Sequence, residues 1–322
     1  MSVLVTGGAG YIGSHTVRQL RQRGDDVLVL DSMEFGSPDA VGDVPLVVGD
    51  IADSGLVADT ISRYEVDSIV HFAAYKNAGE SFENPGRYFG NNVAGTAHLL
   101  ETALRGGVRR FVFSSTCAVY GTPERAPVGE EAPIHPESPY GESKALVERM
   151  LHWYSVCHGL ESVSLRYFNA AGAAMDGSLG EDWTHSLNLV PVAMKALLGH
   201  APPLEVFGTD YPTPDGTCIR DYIHVDDLAD AHLRALDYLQ AGGVTTAVNL
   251  GTGVGSSVRE VLAAAERSAG RPVPAEDTAR RPGDPVALWA DNRRAAELLG
   301  WKARYGLEDI VASAWNWHSR DT

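Results

Sequence analysis

The sequence has few cysteines and an acidic excess of charge. Its three cysteines, Cys117, Cys157 and Cys218, are widely spaced and form no CxxC pair, so neither a disulfide framework nor a zinc site is indicated. We therefore expect a reducing, cytoplasmic environment and no metal. Lys and Arg number 26 against 42 Asp and Glu, which gives a net charge of -16. This charge argues against nucleic acid or an anionic membrane as partner, because both are negative themselves.

Long hydrophobic runs are also missing. No run approaches the ~18 consecutive apolar residues that a membrane-spanning helix needs, so we expect a soluble protein. Hydrophobic residues still make up 44% of the 322 residues. A chain of this size and composition can bury one large core or two coupled cores.

Short β-branched runs alternate with amphipathic stretches in the first half of the chain. The pattern predicts strands at 3–5, 27–30, 68–72, 111–113 and 163–167, and helices at 12–23, 93–104 and 144–154. Strands that are separated by crossover helices predict a parallel sheet with helices on both faces. The expected fold class is therefore α/β, with a doubly wound parallel Rossmann sheet.

The second half is richer in Gly, Pro and polar residues. We predict a first domain over 1–169 and a smaller α/β substrate domain over 170–322. A further strand at 247–250 predicts that a segment near 217–250 returns to the first domain. Prolines punctuate a predicted late loop between residues 272 and 285, and a pattern at 307–317 predicts a closing helix.

A glycine-rich turn directly follows the first predicted strand and opens the first helix. Gly8, Gly10 and Gly13 fit G-x-G-x-x-G, while Gly7, Gly10 and Gly13 fit G-x-x-G-x-x-G. Such glycines permit a tight turn and a close approach of backbone N–H groups to a pyrophosphate, which the helix N-terminus then stabilises. Taken alone, the glycines are also compatible with a structural strand-to-helix turn.

The residue at the end of the second predicted strand supports dinucleotide binding. In dinucleotide-binding folds, a carboxylate ~20 residues after the glycines accepts hydrogen bonds from the adenosine ribose, and Asp31 lies near that position. Ser32 and Met33 offer no cation for a 2′-phosphate, which favours NAD over NADP. Asp50 and Ile51, after the third strand, are candidates to contact the adenine, although an aspartate there is as often a helix cap.

Tyr140 and Lys144 are spaced so that they share one helix face. A free phenol has a pKa near ~10. A nearby ammonium and a positive nicotinamide would lower that pKa and make the phenol a useful base. Thr116 ends an apolar strand at the edge of the sheet where ligands are expected, and its hydroxyl can share the moving proton. An isolated YxxxK could equally be a solvated pair.

Eight segments carry a family resemblance over nearly the whole chain. They are VTGGAGYIGSHT, HFAAYKNAGES, YFGNNVAGT, FSSTCAVYG, SPYGESK, LRYFNAAGA, DGTCIRDYIHVDDLADAH and RRPGDPVALWAD. Together they resemble the extended short-chain dehydrogenase/reductases, and within them the UDP-glucose 4-epimerase branch. The resemblance implies that Tyr140 is the base, that Lys144 binds the cofactor ribose and tunes Tyr140, and that Thr116 hydrogen-bonds the sugar.

The same resemblance implies two sets of binding residues. The cofactor set is Gly7, Gly10, Tyr11, Ile12, Gly13, Asp31, Asp50, Ile51, Phe72, Ala73, Ala74, Lys76, Asn91, Tyr140, Lys144 and Phe168. The substrate set is Lys76, Thr116, Tyr140, Asn169, Asn188, Leu189, Phe207, Arg220, Arg281, Asp284 and Leu288. Among these, Arg220 and Arg281 are chemically suited to bind the UDP, because guanidinium groups neutralise a pyrophosphate.

The activity that the resemblance implies is an isomerase of galactose metabolism, which interconverts UDP-glucose and UDP-galactose. Tyr140 would remove the 4-hydroxyl proton while carbon 4 passes hydride to NAD, giving a transient 4-keto sugar and bound NADH. The sugar would then turn about its link to the anchored UDP and take the hydride back on its other face. A homodimer through helices 93–104 and 144–154 is also implied, although intramolecular packing could fill their apolar positions.

Two other activities are compatible with parts of this pattern. A sugar-nucleotide 4,6-dehydratase or decarboxylase needs acids directly after the threonine, whereas Cys117 and Ala118 stand there. A redox-sensing binding protein would need no Tyr–Lys pair.

Three positions depart from, or vary within, the family pattern. Thr116 replaces the serine of some members and keeps the hydroxyl. Asn77 replaces a small apolar residue beside Lys76. Leu288 is intermediate between the Tyr and the small residues that line the space beside carbon 2 of the sugar. The sequence leaves open whether 2-acetamido sugars are also substrates.

Overall fold

The computed structural model describes residues 1–184, 186–281 and 283–320. Its strands are β1 (Ser2–Thr6), β2 (Asp26–Asp31), β3 (Leu46–Val48), β4 (Ser68–His71), β5 (Arg110–Thr116), β6 (Glu161–Tyr167), β7 (Asn169–Ala171), β8 (Leu204–Phe207), β9 (Ile219–Arg220), β10 (Tyr222–His224), β11 (Thr246–Leu250), β12 (Ser256–Ser257), β13 (Ala275–Thr278) and β14 (Ala287–Leu288). Its α-helices are α1 (Tyr11–Arg23), α2 (Ser54–Arg63), α3 (Ala78–Glu83), α4 (Pro85–Tyr88), α5 (Thr96–Arg105), α6 (Pro139–His158), α7 (Leu189–Leu198), α8 (Val225–Gln240), α9 (Val258–Ala269), α10 (Arg293–Leu299) and α11 (Leu307–His318).

A parallel sheet forms the centre of the molecule. In the described ranges it has seven strands in the order β11-β6-β5-β4-β1-β2-β3, and every neighbouring pair is parallel. This order contains the Rossmann arrangement, in which the chain reverses direction across the sheet between β1 and β4. The predicted doubly wound α/β fold is confirmed.

The central strands are buried on both faces, and their sequences are therefore almost continuously apolar. On β1, Val3 and Val5 pack into one core together with residues of α1 and α8. Leu4, which points to the opposite face, packs with residues of α2, α5 and α6. This alternation buries all three side chains completely, and it holds helices against both faces of the sheet.

Helix α6 is longer than the helix predicted at 144–154, because it begins at a strong N-terminal signal. The Ser138 hydroxyl accepts a hydrogen bond from the Gly141 N–H at 3.1 Å, and Pro139 occupies the first helical position. Both features favour a helix start at this point. The helix ends at Gly159, whose φ of 68° is in the left-handed region. Tyr140 therefore lies in the first turn, directly above the end of the sheet.

The helix predicted over 93–104 is wrong in its first turn. Residues Phe89–Gly95 form a π-helical segment, and α5 follows it directly. π-Helical turns are rare and are found frequently at functional sites. The wider turn contains Asn92, a buried polar residue whose side chain forms hydrogen bonds with Tyr75 and Ser143, outside this segment.

The second half of the chain has its own apolar cluster, formed by α7, α9 and α11 with β8. The predicted late loop contains β13, which pairs with β8; Leu204 N–H donates to the Pro274 carbonyl, so a proline before the strand does not interrupt the pairing. β11 lies beside β6 in the central sheet. The division into domains at residue 169 stays a prediction. In the described part of the chain, no helix combines the length and apolarity that crossing a membrane requires.

Candidate active site

The predicted site residues cluster at the carboxyl edge of the sheet. β1, β2, β4, β5 and β6 end there at Thr6, Asp31, His71, Thr116 and Tyr167. β1 and β4 are neighbours, and the connections that leave them run to opposite sides of the sheet. Such a switch point opens a crevice in which α/β proteins bind their ligands.

The glycine turn forms a backbone cradle that side chains would fill. Gly7 has a φ of 71°, and a Cβ atom there would lie 2.5 Å from the Ala73 nitrogen. A Cβ atom on Gly13 would lie 2.3 Å from the Gly7 carbonyl oxygen. Gly10 precedes α1, and no side chain in the described residues caps this helix N-terminus. Exposed N–H groups at a helix start bind phosphates well, so the cradle fits a dinucleotide pyrophosphate.

Asp31 is held rigidly at the end of β2. Its carboxylate accepts hydrogen bonds from the Ala9 and Met33 N–H groups at 3.0 and 2.9 Å. Each oxygen retains a second lone pair for a ribose hydroxyl, and the negative charge disfavours a 2′-phosphate. Asp50, which follows β3, is held only by a local contact: its carboxylate accepts a hydrogen bond from the Ala52 N–H at 2.8 Å within an exposed turn.

Tyr140, Thr116 and Lys144 come together where β5 meets α6. Burial raises the pKa of the Tyr140 phenol, and a hydrogen bond with the Thr116 hydroxyl acts in the opposite direction. Lys144 Nζ donates to the Ser114 carbonyl at 2.8 Å and lies 4.8 Å from the centre of the Phe113 ring. The arrangement places a phenol and a hydroxyl side by side, which is what proton transfer to a sugar hydroxyl requires.

That Lys144 and a positive nicotinamide together lower the pKa of Tyr140 stays a prediction; in the protein alone, burial is the largest cause of the shift at each residue. Burial lowers the pKa of Lys144 to about 7, so its ammonium is only partly charged near neutral pH. Burial also dominates at Tyr140 and raises its pKa. Removing each group from water disfavours its charged form, which for Tyr140 is the phenolate and for Lys144 the ammonium.

Asn92 was not predicted, yet it connects the cofactor side of the site to α6. Its carbonyl oxygen accepts from the Tyr75 N–H at 2.9 Å, and its amide donates to the Tyr75 carbonyl at 3.0 Å and to Ser143 Oγ at 3.1 Å. Ser143 Oγ in turn donates to the Tyr140 carbonyl at 2.7 Å. The sequence signal was available, because Asn91 and Asn92 interrupt an amphipathic helix pattern.

His71 is a second residue that the sequence did not single out. Its ring nitrogens lie 2.6 Å from Thr6 Oγ1 and 2.9 Å from Thr96 Oγ1. Burial, followed by the charge of Lys144, lowers the pKa of His71 to about 3. The ring is therefore neutral and joins β1, β4 and α5 beneath the site.

Three of the predicted substrate residues meet around β9 and β14. Arg220 and Leu288 are partners in the register of these strands. Arg220 Nη2 lies 3.4 Å from Asp284 Oδ1, and its Nη1 donates to the Pro285 carbonyl at 2.7 Å. Leu288 is 8% exposed and belongs to an apolar cluster with Phe168. Arg220 is thus fixed by acceptors on two sides.

The other predicted substrate residues lie in separate elements of the second half. The Arg281 guanidinium lies 4.2 Å from the centre of the Phe207 ring, at the end of β8. Asn188 precedes α7 and Leu189 is its first residue, while Asn169 begins β7. Their roles as substrate contacts stay predictions.

The remaining predicted cofactor residues follow β1, β3, β4 and β6 in the chain. Phe72 and Ala73 donate their N–H groups to the Thr6 carbonyl at 2.8 and 3.1 Å, which brings the turn after β4 against β1. Tyr11 and Ile12 open α1, Ile51 follows β3, and Phe168 follows β6. Ala74, Lys76 and Asn91 all follow β4. Their roles also stay predictions.

The structure explains Asn77 by helix capping. Its side-chain oxygen accepts from the Glu80 N–H at 3.1 Å at the start of α3. A small apolar residue could not form this bond, so the departure from the family pattern has a local structural role.

A parallel Rossmann sheet, a glycine cradle, a carboxylate at the end of β2 and a Tyr–Lys pair define a dinucleotide-dependent enzyme of the short-chain dehydrogenase/reductase class. More specifically, the chain belongs to the NAD dependent epimerase/dehydratase family, whose profile matches residues 3–251.

Full-length relatives share this architecture. A UDP-glucose 4-epimerase of Halalkalibacterium halodurans is 46% identical over 319 residues, which cover 99% of this chain and 96% of the relative. The crystal structure of UDP-glucose 4-epimerase from Brucella ovis in complex with NAD is 47% identical and has a TM-score of 0.96. The match covers 98% of this chain and 97% of the Brucella ovis chain. The enzyme from Bifidobacterium longum in complex with NAD+ and UDP is 41% identical, with a TM-score of 0.94 and coverage of 100% and 99%.

Proposed function

We propose that this chain is an NAD-dependent isomerase that interconverts UDP-glucose and UDP-galactose by inverting carbon 4. The observation that carries the proposal is the clustering of Thr116, at the end of β5, with Tyr140 and Lys144, in the first turns of α6, at the carboxyl edge of the sheet, where Lys144 Nζ donates to the Ser114 carbonyl at 2.8 Å. The full-length likeness to UDP-glucose 4-epimerases supports the same reaction. NAD, bound at the glycine cradle, supplies the acceptor and donor of hydride for carbon 4.

Tyr140 and Thr116 handle the proton of the 4-hydroxyl. In its phenolate form, which the positive nicotinamide of bound NAD and the Lys144 ammonium would stabilise, Tyr140 takes this proton as the hydroxyl becomes a ketone. Thr116 orients the hydroxyl by sharing a hydrogen bond with it. The same phenol returns the proton when the alcohol re-forms. Because one group serves both directions, the site ends each turnover in the state in which it began.

The UDP moiety is held in place while the sugar turns. Arg220 and Arg281 lie in a strongly acidic chain, and each is placed by its surroundings: Arg220 by Asp284 and Arg281 by the Phe207 ring. Guanidinium groups in fixed positions suit a pyrophosphate. Tight contacts to the sugar itself would prevent its rotation, so binding is directed at UDP.

The 4,6-dehydratase alternative requires an acid–base group beyond the first oxidation. Cys117 and Ala118 occupy the positions after Thr116, and burial raises the pKa of the Cys117 thiol to about 12. A thiol that stays protonated at neutral pH cannot accept a proton from carbon 5. The epimerase reaction needs no such group.

One incubation tests these alternatives. Purified protein is mixed with UDP-galactose and no added NAD, and the products are separated. We expect UDP-glucose. A 4-keto-6-deoxy sugar would identify a dehydratase, and the absence of any product would favour a binding protein without turnover.

We further propose a homodimer, a cytoplasmic location and the predicted division into an NAD domain (1–169) and a UDP-sugar domain (170–322). Two large apolar side chains on α6, Trp153 and Val156, are 62% and 63% exposed, and clustered exposed apolar side chains mark interaction sites. The free thiols suit a reducing compartment.

A further inference from the structure

Glu181 is a buried carboxylate that belongs to none of the predicted sets. It lies between β7 and α7, and the residue is 5% exposed. Its backbone carbonyl accepts a hydrogen bond from Trp317 Nε1 of α11 at 3.1 Å. The preceding Gly180 packs so closely on the Trp317 ring that a Cβ atom would lie 2.4 Å from it. The backbone that carries this carboxylate is therefore held firmly in place.

The Glu181 carboxylate faces Lys76 across the site. Glu181 Oε1 lies 3.7 Å from Lys76 Nζ, and no described residue donates a hydrogen bond to this oxygen. Burial raises the pKa of Glu181, while Lys76 and then the Ser186 hydroxyl act to lower it. Its charge also raises the pKa of Tyr11, after the larger effect of burial. A buried carboxylate with an unsatisfied oxygen is costly for the fold, which points to a functional reason for it.

Lys76 is constrained much less than its partner. Its side chain is 63% exposed, against 6% for Glu181. A long, exposed ammonium side chain samples many rotamers unless a partner restricts it. The ion pair therefore has a rigid anionic side and a flexible cationic side, so Glu181 determines where the ammonium is held.

We infer that Glu181 is a positioning residue, whose carboxylate holds the Lys76 ammonium between the cofactor and the sugar. This inference rests on the proposed function together with the predicted binding sets, both of which contain Lys76. Lys76 comes from the turn after β4, and Glu181 comes from the segment after β7, so the pair joins the two halves of the chain. A second bond spans the same junction, since the Tyr11 hydroxyl donates to the Gly172 carbonyl at 2.6 Å.

The first test replaces the charge and keeps the shape. Glu181→Gln should lower kcat for UDP-galactose about tenfold and change KM less than twofold, because a displaced catalytic contact reduces turnover more than binding. Asp182→Asn is the matched control: this neighbouring carboxylate is exposed and accepts from the Thr184 N–H at 2.9 Å, and its loss should leave kcat unchanged. Thermal unfolding of both variants verifies folding. If Glu181→Gln does not fold, Glu181→Asp keeps the charge and should lose part of kcat.

A double-mutant cycle separates positioning from a structural role. In a Lys76→Met background, Glu181→Gln should produce no further loss of kcat, because the group it positions is gone. Additive losses would overturn the inference, since they would mean that Glu181 acts without Lys76.

The same cycle is also measured as the fraction of bound NAD that each protein retains after gel filtration. Lys76→Met should release more NAD than the wild type, and Glu181→Gln should add nothing to that release. A wild type that does not convert UDP-galactose would refute the proposed function alone, and NAD retention would still decide the inference: non-additivity supports it and additivity refutes it.

Discussion

At the residue scale, the proposed chemistry depends on the phenol oxygen of Tyr140. Tyr140→Phe removes this oxygen and keeps the ring, which is largely buried. We expect kcat to fall 10²-fold or more, as is usual when an essential acid–base group is removed. NAD and UDP should bind nearly as in the wild type, because neither the glycine cradle nor Arg220 is altered. Product formation from UDP-galactose, together with NAD released on denaturation, measures both quantities.

Tyr167→Phe is the matched control for this variant. Its hydroxyl is part-buried beside the site and lies 2.7 Å from Ser114 Oγ. We assign it no proton transfer, so its loss should change kcat only a few-fold. Equal losses in the two variants would contradict the role given to Tyr140.

Leu288 is the residue at which we expect the choice between sugar classes to be made. It pairs in register with Arg220 and packs near Phe168, and we propose that its volume limits the space beside the bound sugar. We expect wild type to prefer UDP-glucose and UDP-galactose and to act weakly on UDP-N-acetylglucosamine. Leu288→Ala should raise the relative kcat/KM for the acetamido sugar, and Leu288→Tyr should lower it. Steric overlap of ~1 to 3 kcal/mol corresponds to a change of roughly ten- to a hundredfold.

Val286→Ala is the control for this series. Val286 lies two residues away and is 38% exposed, and its truncation should leave the ratio of the two kcat/KM values unchanged. A constant ratio across all the Leu288 variants would show that this leucine is ordinary core.

Several site residues were predictable because their signals are local. Gly7 and Gly13 are required by backbone contacts within one turn and with the neighbouring strand, and Tyr140 and Lys144 are related by helix spacing. His71 and Glu181 carry no such signal. Their surroundings come from residues distant in the chain, such as Thr96 and Trp317, and burial is the largest cause of their pKa shifts.

At the element scale, the π-helical segment between α4 and α5 connects the turn after β4 to α6. Asn92→Ala removes four side-chain bonds at once, two with Tyr75, one with Ser143 and one with Asn91. The part-buried Tyr75 backbone groups would lose their partners, which costs up to about 1–3 kcal/mol per unsatisfied group. We expect a lower unfolding temperature and faster NAD release, because the turn that carries Phe72 and Ala73 loosens.

Asn84→Ala provides the comparison for this prediction. Asn84 is an exposed residue at the end of α3, and no buried side-chain hydrogen bond to it is found among the described residues. Its substitution should leave NAD release unchanged, as measured by cofactor fluorescence after rapid dilution. If Asn92→Ala behaves like Asn84→Ala, the π-helical segment does not support the cofactor side of the site.

The elements themselves were predictable to different degrees. The strands of the central sheet are buried on both faces and read as apolar runs, so β1, β2, β4, β5 and β6 were all predicted. β13 was missed because its four residues are mostly exposed and prolines precede it. The π-helical turn was missed because an amphipathic pattern does not report the hydrogen-bond spacing, which the side chain of Asn92 influences here.

At the scale of the whole molecule, α5 and α6 have two different faces. Residues such as Leu99, Leu100 and Leu151 are buried against the sheet, which accounts for the apolar pattern without a partner. Trp153 and Val156 lie outside this core and are largely exposed. Burying a side chain of this kind contributes about 1.5–3 kcal/mol, so an interface that covers both gains stability from residues the monomer leaves in water.

The double variant Trp153→Glu, Val156→Glu tests whether this surface forms the proposed dimer. Placing a carboxylate in an apolar interface without a partner is unfavourable, so we expect wild type to be a dimer at micromolar concentration and the variant to be a monomer. Val254→Glu is the control, because Val254 is similarly exposed at 67% but follows β11, away from α5 and α6 in the chain. Light scattering measures the mass of all three proteins. A monomeric wild type, or a double variant that remains a dimer, would mean that α6 is not the interface and that its exposed tryptophan needs another explanation.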